Sequence, residues 1–247
     1  HFLKEPWKES FKSLAVFFAL AVPFAFLTKA TQPNFGVKDL SPLWFRPFIA
    51  LHAIGFYLKQ VFVPLSFYLD YGRKPNWVLN EGAKDLVLLV PLFLLGIAAY
   101  FWRRNRFFFL ACALLLLPLL PVLGIVPFQF QLFSTVADRY FYLSMLGVAV
   151  GVASLPFKSS MALMTLLLGA LSFLQVSQWE NTEKIFNYTL AKNPQSFMVH
   201  NNLAFVYFER KEFDKASEHL KAATELYPEE LGLFINLTSA LVRSGRT

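Results

Sequence analysis

Two short polar clusters interrupt a front part that is otherwise apolar. The first lies in FSTVADRYFYLSMLG, where Asp138 and Arg139 are followed by Tyr140 and Tyr142. A guanidinium offers a planar fork of N–H donors that fits two phosphate oxygens, and an adjacent carboxylate can orient that fork or hold a divalent metal. Arg139, Asp138 and Tyr142 are therefore candidates for binding a lipid phosphate. The same residues also suit a boundary ion pair beneath a belt of interfacial aromatics, and spacing alone does not separate the two readings. The second cluster, SFYLDYGRKPNW, carries Asp70, Tyr71, Arg73 and Lys74. It could line a donor or acceptor cleft, or form a solvated loop anchored by Tyr68, Tyr71 and Trp77. His52 has no second ligand in its vicinity and reads as a packed or interfacial histidine. Lys59, inside an apolar run, is expected to snorkel toward the interface. His200 and His219 are expected on exposed faces of helices, and no metal site is expected.

The elements that must position these residues follow from composition. Hydrophobic residues make up 56% of the 247 and charged ones 16%, against about 45–50% and about 25% in ordinary soluble domains. The first 178 residues carry 15 Lys and Arg against 7 Asp and Glu, the last 69 carry 8 against 9. The basic surplus therefore belongs to the apolar front part, where it reads as membrane-boundary charge and not as a nucleic-acid footprint. A single cysteine, Cys112, excludes a disulfide framework. Charge-free runs at 13–28, 86–102, 107–137, 140–157 and 159–179 are candidate spans. The run 107–137 holds one span and an extra segment, with Pro118, Pro121 and Pro127 kinking or ending its helix. The segment 44–69 either crosses or lies at the interface. Arg103, Arg104, Arg106 and Lys158 belong on the cytoplasmic side, which puts the chain after Gln178 outside. Lys4, Lys8 and Lys12 also favour the inside, which a non-crossing 44–69 would allow.

After Gln178 the pattern changes to charged helices with a 34-residue period, seen in Pro194 and Pro228. Within 197–230, small residues at Ala204, Ala216 and Ala223 let two antiparallel helices approach. Leu203, Tyr207 and Leu220 fill the seam between them, and Pro228 stops the second helix. This is the pattern of one full tetratricopeptide repeat with partial repeats on both sides. A generic amphipathic hairpin is the plainer alternative. The expected fold is all-α: a polytopic helical membrane domain over 1–178 with about five to six apolar helices, then a tetratricopeptide-repeat array over 179–247. The start at His1 and the break after SGRT lead us to expect an interior piece of a longer protein. Two sequons, Asn187-Tyr188-Thr189 and Asn236-Leu237-Thr238, fall inside expected helices, where chance is the better explanation.

PVLGIVPFQFQLFSTVADRYFYLSMLG, residues 121–147, resembles the late transmembrane part of membrane glycosyltransferases that carry a tetratricopeptide tail, the bacterial O-mannosyltransferase-like proteins and the animal transmembrane-and-tetratricopeptide-repeat O-mannosyltransferases. FYLKQVFVPLSFYLDY, from Phe56 to Tyr71, resembles an aromatic-rich segment of the same family. The resemblance implies a C-superfamily glycosyltransferase that moves a sugar, mannose in the named relatives, from a polyprenyl-phosphate carrier to a hydroxyl acceptor on the outer face. It implies an integral protein of a bacterial inner (plasma) membrane with its tail on the periplasmic side, a polyprenyl-phosphate sugar as donor, and a protein or peptide partner on the repeats. No cofactor motif occurs, and a divalent metal is compatible with the site. In that superfamily the catalytic acids usually lie in the first outer loop, which this sequence does not contain, so the catalytic base is not named. By resemblance Arg139 and Asp138 are the leading site residues, with Arg139 on phosphate. A membrane-anchored repeat scaffold for envelope or secretion assembly is the competing function.

Overall fold

The computed structural model describes residues 41–82, 106–126, 128–154 and 158–245, with a few isolated positions elsewhere. The chain divides into two compact units, His1–Leu40 and Ser41–Thr247, of which the first lies almost wholly outside the described residues. The expected spans 13–28 and 86–102 also fall outside them, apart from isolated positions, as do Lys4, Lys8, Lys12, Arg103, Arg104 and Pro127. The described residues are helical and contain no strand.

Proline sets several element boundaries. Helix α1, Arg46–Phe62, has proline in its first turn, where a missing N–H costs nothing. It ends before Pro64, with Val63 turned out of the helical region (φ −133°), as expected for a residue preceding proline. Helix α2, Pro75–Asn80, likewise begins on proline. Helix α3, Arg106–Leu116, tightens into a 3-10 stretch, Leu117–Val122, at Pro118 and Pro121. The run 107–137 thus yields a shorter apolar helix, Phe107–Val122, followed by turns and a second 3-10 stretch, Gln129–Leu132. Helix α4, Met145–Ala153, has 9 residues, about 14 Å of rise, well short of a bilayer core of about 30 Å.

Helices α3 and α4 pack closely because Gly147 and Gly151 face α3: a Cβ on Gly147 would collide with the backbone of Ala111 and Leu115. Small residues four apart are the usual device for such approach between apolar helices. Helix α5, Lys158–Val176, runs into a 3-10 turn, Ser177–Trp179. Its stretch Ala162–Trp179 is long and apolar enough to cross a membrane, the one such helix among the described residues, and none of it is buried against the rest of the protein.

The last four helices are α6, Thr182–Lys192, α7, Phe197–Glu209, α8, Phe213–Leu226, and α9, Leu231–Arg243. Each packs on the next. Asn181 caps α6 by accepting the Lys184 N–H at 2.8 Å, and Ser196 caps α7 through Val199. Leu203, Ala204 and Tyr207 of α7 are buried against Ala216 and Leu220 of α8 and Ala240 of α9, and Ala223 is buried as well. Pro228 stands exposed in the turn after α8.

A second core positions the polar clusters. Ala50, Ala53, Phe56 and Tyr57 of α1 pack on Leu119, Leu123, Val136 and Phe141, with Tyr71 and Tyr140 at its edge. Segment 66–73 reaches from this core to α6 and α7, across the compositional change at Gln178. Leu69 N–H donates to Thr189 Oγ1, and Gln175 Nε2 donates to the Phe67 carbonyl at 2.8 Å.

Candidate functional site

Asp138 follows directly from a backbone locked by α1. The Tyr57 hydroxyl accepts the Ala137 N–H at 3.1 Å and donates to the Ala137 carbonyl at 3.2 Å, so Ala137 is held extended just before Asp138. The Tyr57 ring is stacked on Phe141, centroids 5.0 Å apart, which fixes the far side of the same turn. Upstream, Thr135 N–H donates to the Arg73 carbonyl at 2.8 Å and ties this loop to the second polar cluster.

The two clusters meet at one hydrogen bond. Tyr71 Oη donates to Asp138 Oδ2 at 2.7 Å, and Gln60 Nε2 donates to the same hydroxyl at 3.1 Å. Burial raises the Asp138 carboxyl to about 6, with the Tyr71 bond pulling the other way. Burial, then the adjacent carboxylate, pushes the Tyr71 phenol well above its ordinary value, so it stays a donor at physiological pH. A carboxylate near 6 that keeps a hydrogen-bond donor can hold or release a proton near neutrality.

Arg139 does not pair with its neighbour. Its guanidinium lies 4.1 Å from the Phe130 centroid and 4.8 Å from that of Tyr140, and NH2 reaches the Tyr140 hydroxyl at 3.3 Å. Arg139 is exposed, and no carboxylate among the described residues forms a salt bridge with it. The alternative of a boundary ion pair between Asp138 and Arg139 gives way to a carboxylate turned to Tyr71 and a cation laid on aromatic faces. Consecutive residues leave a 3-10 turn in different directions, and the turn Asp138–Tyr140 separates the two groups in this way. Tyr142 is 78% exposed beside them.

The second cluster divides. Asp70 is only 4% exposed and acts as a staple, not as an open cleft wall. Its Oδ1 accepts the Gly72 N–H at 2.9 Å and its Oδ2 accepts Ser196 Oγ at 2.5 Å, while Asn193 Nδ2 donates to its carbonyl. Gly72 takes φ +62°, which a side chain would oppose. Arg73 lies over Phe56 and Trp77 at 4.8 and 4.9 Å and contacts His52 Nε2 at 3.1 Å, so His52 is fully buried beside a cation. Lys59 is exposed at the end of α1. His200 and His219 depart from the expected exposed faces: both are partly buried and face each other. Sequence reasoning missed Tyr57, Gln60 and Phe130, which position Asp138 and Arg139. The signal was weak, because each sits within an apolar run and reads as packing or membrane surface.

No family model matches the chain, and neither a curated protein nor a solved structure matches it.

Proposed function

We propose that the chain is the C-terminal part of an integral-membrane glycosyltransferase that uses a polyprenyl-phosphate sugar, with mannose the sugar suggested by resemblance, and a hydroxyl acceptor, most naturally a protein, on the outer face. The observation that carries the reading is Arg139: an exposed guanidinium, seated on Phe130 and Tyr140 and unpaired with any described carboxylate, beside an apolar helix pair. In the reaction the acceptor oxygen attacks the anomeric carbon, the bond from that carbon to the phosphate oxygen breaks, and the lipid phosphate leaves with the electron pair. Arg139 stabilises the charge that grows on the departing phosphate. In the family that the sequence resembles, the base that takes the acceptor proton lies in the first outer loop.

In this reading residues 1–178 form a polytopic membrane domain, of which α5 is one crossing. Residues 179–247 form a tetratricopeptide-repeat tail on the periplasmic side of a bacterial inner membrane. The buried seam of Leu203, Ala204, Tyr207, Ala216, Leu220 and Ala223 supports the repeat assignment, because small residues at those positions set the helix spacing of that motif. A divalent metal at Asp138 would help to hold the phosphate. The scaffold alternative draws on a different observation, the exposed Phe205, Leu231 and Ile235 of the tail, which suit a protein partner.

Substitution of Arg139 in the complete enzyme tests the reading. Lysine keeps the charge and loses the fork; alanine loses both. A charge-assisted hydrogen bond contributes about 1.5–3 kcal/mol, so Arg139→Ala should lower activity per folded molecule by about 10- to 100-fold, with Arg139→Lys between it and wild type. Undiminished activity in Arg139→Ala would remove the phosphate assignment.

A further inference from the structure

The tail holds a pair of ionisable groups that the phosphate site does not use. His200 of α7 and His219 of α8 face each other across the helix seam, Nδ1 to Nδ1 at 2.9 Å. Their tautomers follow from the remaining contact. His200 Nε2 lies 3.2 Å from the Pro194 carbonyl, a group that can only accept, so Nε2 carries the proton and Nδ1 presents a lone pair. His219 Nδ1 then donates the one proton between the rings. Two nitrogens whose lone pairs would otherwise meet at one point are held together by a single shared hydrogen.

The frame around them is firm. The His219 ring is stacked on Tyr207, centroids 5.6 Å apart and planes 14° from parallel. Tyr207 Oη donates to Glu183 Oε1 at 3.0 Å, and Arg210 binds the other Glu183 oxygen. Burial holds both imidazoles below the ordinary histidine range, with His200 adding to the effect at His219, and Glu218 opposes it weakly. Lys215 of α8 sits over the Tyr207 ring on the same side of the hairpin. Both rings are therefore neutral at physiological pH, the form that binds metals.

We propose that His200 and His219 bind a divalent transition-metal ion of the Zn²⁺, Ni²⁺ or Cu²⁺ class through their two Nδ1 atoms, in place of the shared proton. Metal to imidazole distances of about 2.0–2.1 Å place two tetrahedral ligands about 3.3 Å apart, so the pair opens by a few tenths of an ångström. The His200 Nε2–H bond to Pro194 is the outer-shell contact that orients a ligating imidazole. Among the described residues no group of three or more His, Cys, Asp or Glu side chains could hold a metal ion, so water completes the coordination and Cu²⁺ binds most tightly. The ion links α7 to α8. As the metal takes His219 Nδ1, that ring's proton moves to Nε2 and both imidazoles stay neutral; because protonation of either ring competes with the metal, affinity falls as pH drops through the imidazole range.

The test is titration of Zn²⁺ and Cu²⁺ into the detergent-solubilised 247-residue chain carrying Cys112→Ser, alongside His200→Gln and His219→Gln variants checked for helical content. One bound equivalent is expected, with affinity about tenfold or more weaker in each variant. A second readout needs no variant. In imidazole ¹⁵N spectra, Zn²⁺ should shift the Nδ1 resonances of both rings and leave His200 Nε2 protonated. Folded variants that bind Zn²⁺ as wild type does, or Nδ1 resonances that ignore millimolar Zn²⁺, would overturn the site and leave only a proton-sharing pair.

Discussion

Asp138 draws its properties from residues far away in sequence. Tyr71, 67 positions earlier, donates to its carboxylate, while Tyr57 holds the peptide just before it. Burial lifts the carboxyl to about 6, and an unfolded chain returns it to about 3.9. A raised folded value means that the protonated form is favoured in the native state. The associated stability is present in full below about 3.9 and is lost as pH rises through about 6. Asp138→Asn, which keeps an acceptor for Tyr71 and carries no charge, should therefore gain stability over wild type as pH is raised from 4 to 8. The difference should be on the order of 2–3 kcal/mol across that window. Thermal midpoints of the helical signal for both proteins at several pH values measure it, and a constant offset would refute the buried-carboxylate account. Tyr71→Phe should push the carboxyl titration, followed by infrared absorption, still higher, because the bond that favours the charged form is gone. The sequence made Asp138 and Arg139 visible as polar residues between apolar runs. It hid their partners, since a tyrosine 67 residues away and a phenylalanine in FQFQLF look like ordinary interfacial aromatics.

At the level of elements, punctuation was legible and contact was not. Pro118 and Pro121 end an apolar helix as expected, and Pro47, Pro64 and Pro75 stand at further helix boundaries in the structure, because proline acts through its own ring and missing N–H. The alanines of the tail could be placed in a seam because small residues at fixed spacing have a local geometric meaning. Charge-free runs were less informative about helix length: among the described residues of 140–157 the one α-helix is the short α4, since turns also tolerate apolar residues when they pack. The docking of 66–73 on the tail had no sequence signal at all, because Asp70 and Ser196 are 126 positions apart. That contact has a measurable weight. Ser196 Oγ both donates to buried Asp70 and caps α7, so Ser196→Ala leaves a carboxylate oxygen and a helix N–H without their partner. We expect a loss of about 2–4 kcal/mol, with faster amide exchange in 66–73 and in the first turn of α7 together. Exchange that speeds up in α7 alone would show that the staple contributes nothing beyond the cap.

At the scale of the whole molecule, the packing of α3 on α4 bears on a question of parity that the charge pattern left awkward. Residues 103–106 and Lys158 flank the α3 and α4 pair, whose close packing at Gly147 makes it one hairpin. A hairpin returns its ends to the same side, whether it crosses twice or enters and turns back. Both cationic groups can then satisfy the positive-inside bias together without a count of spans. Helix α5 is different: its 19 residues rise about 28 Å, close to the thickness of a bilayer core, and it presents apolar side chains on every face. On the proposed crossing by α5, Lys158 lies at one surface and the α6 to α9 tail at the other. The expected result is a cytoplasmic Lys158 and an external tail. A cysteine at Glu229, exposed in the turn after α8, reports this better than one at buried Ser196. In a Cys112→Ser background, Glu229→Cys should react with a membrane-impermeant maleimide in cells stripped of any outer barrier, and a cysteine at Lys158 should react only after lysis. The reverse pattern would invert the protein in the membrane and move Arg139 to the side where no outward-facing lipid phosphate is presented.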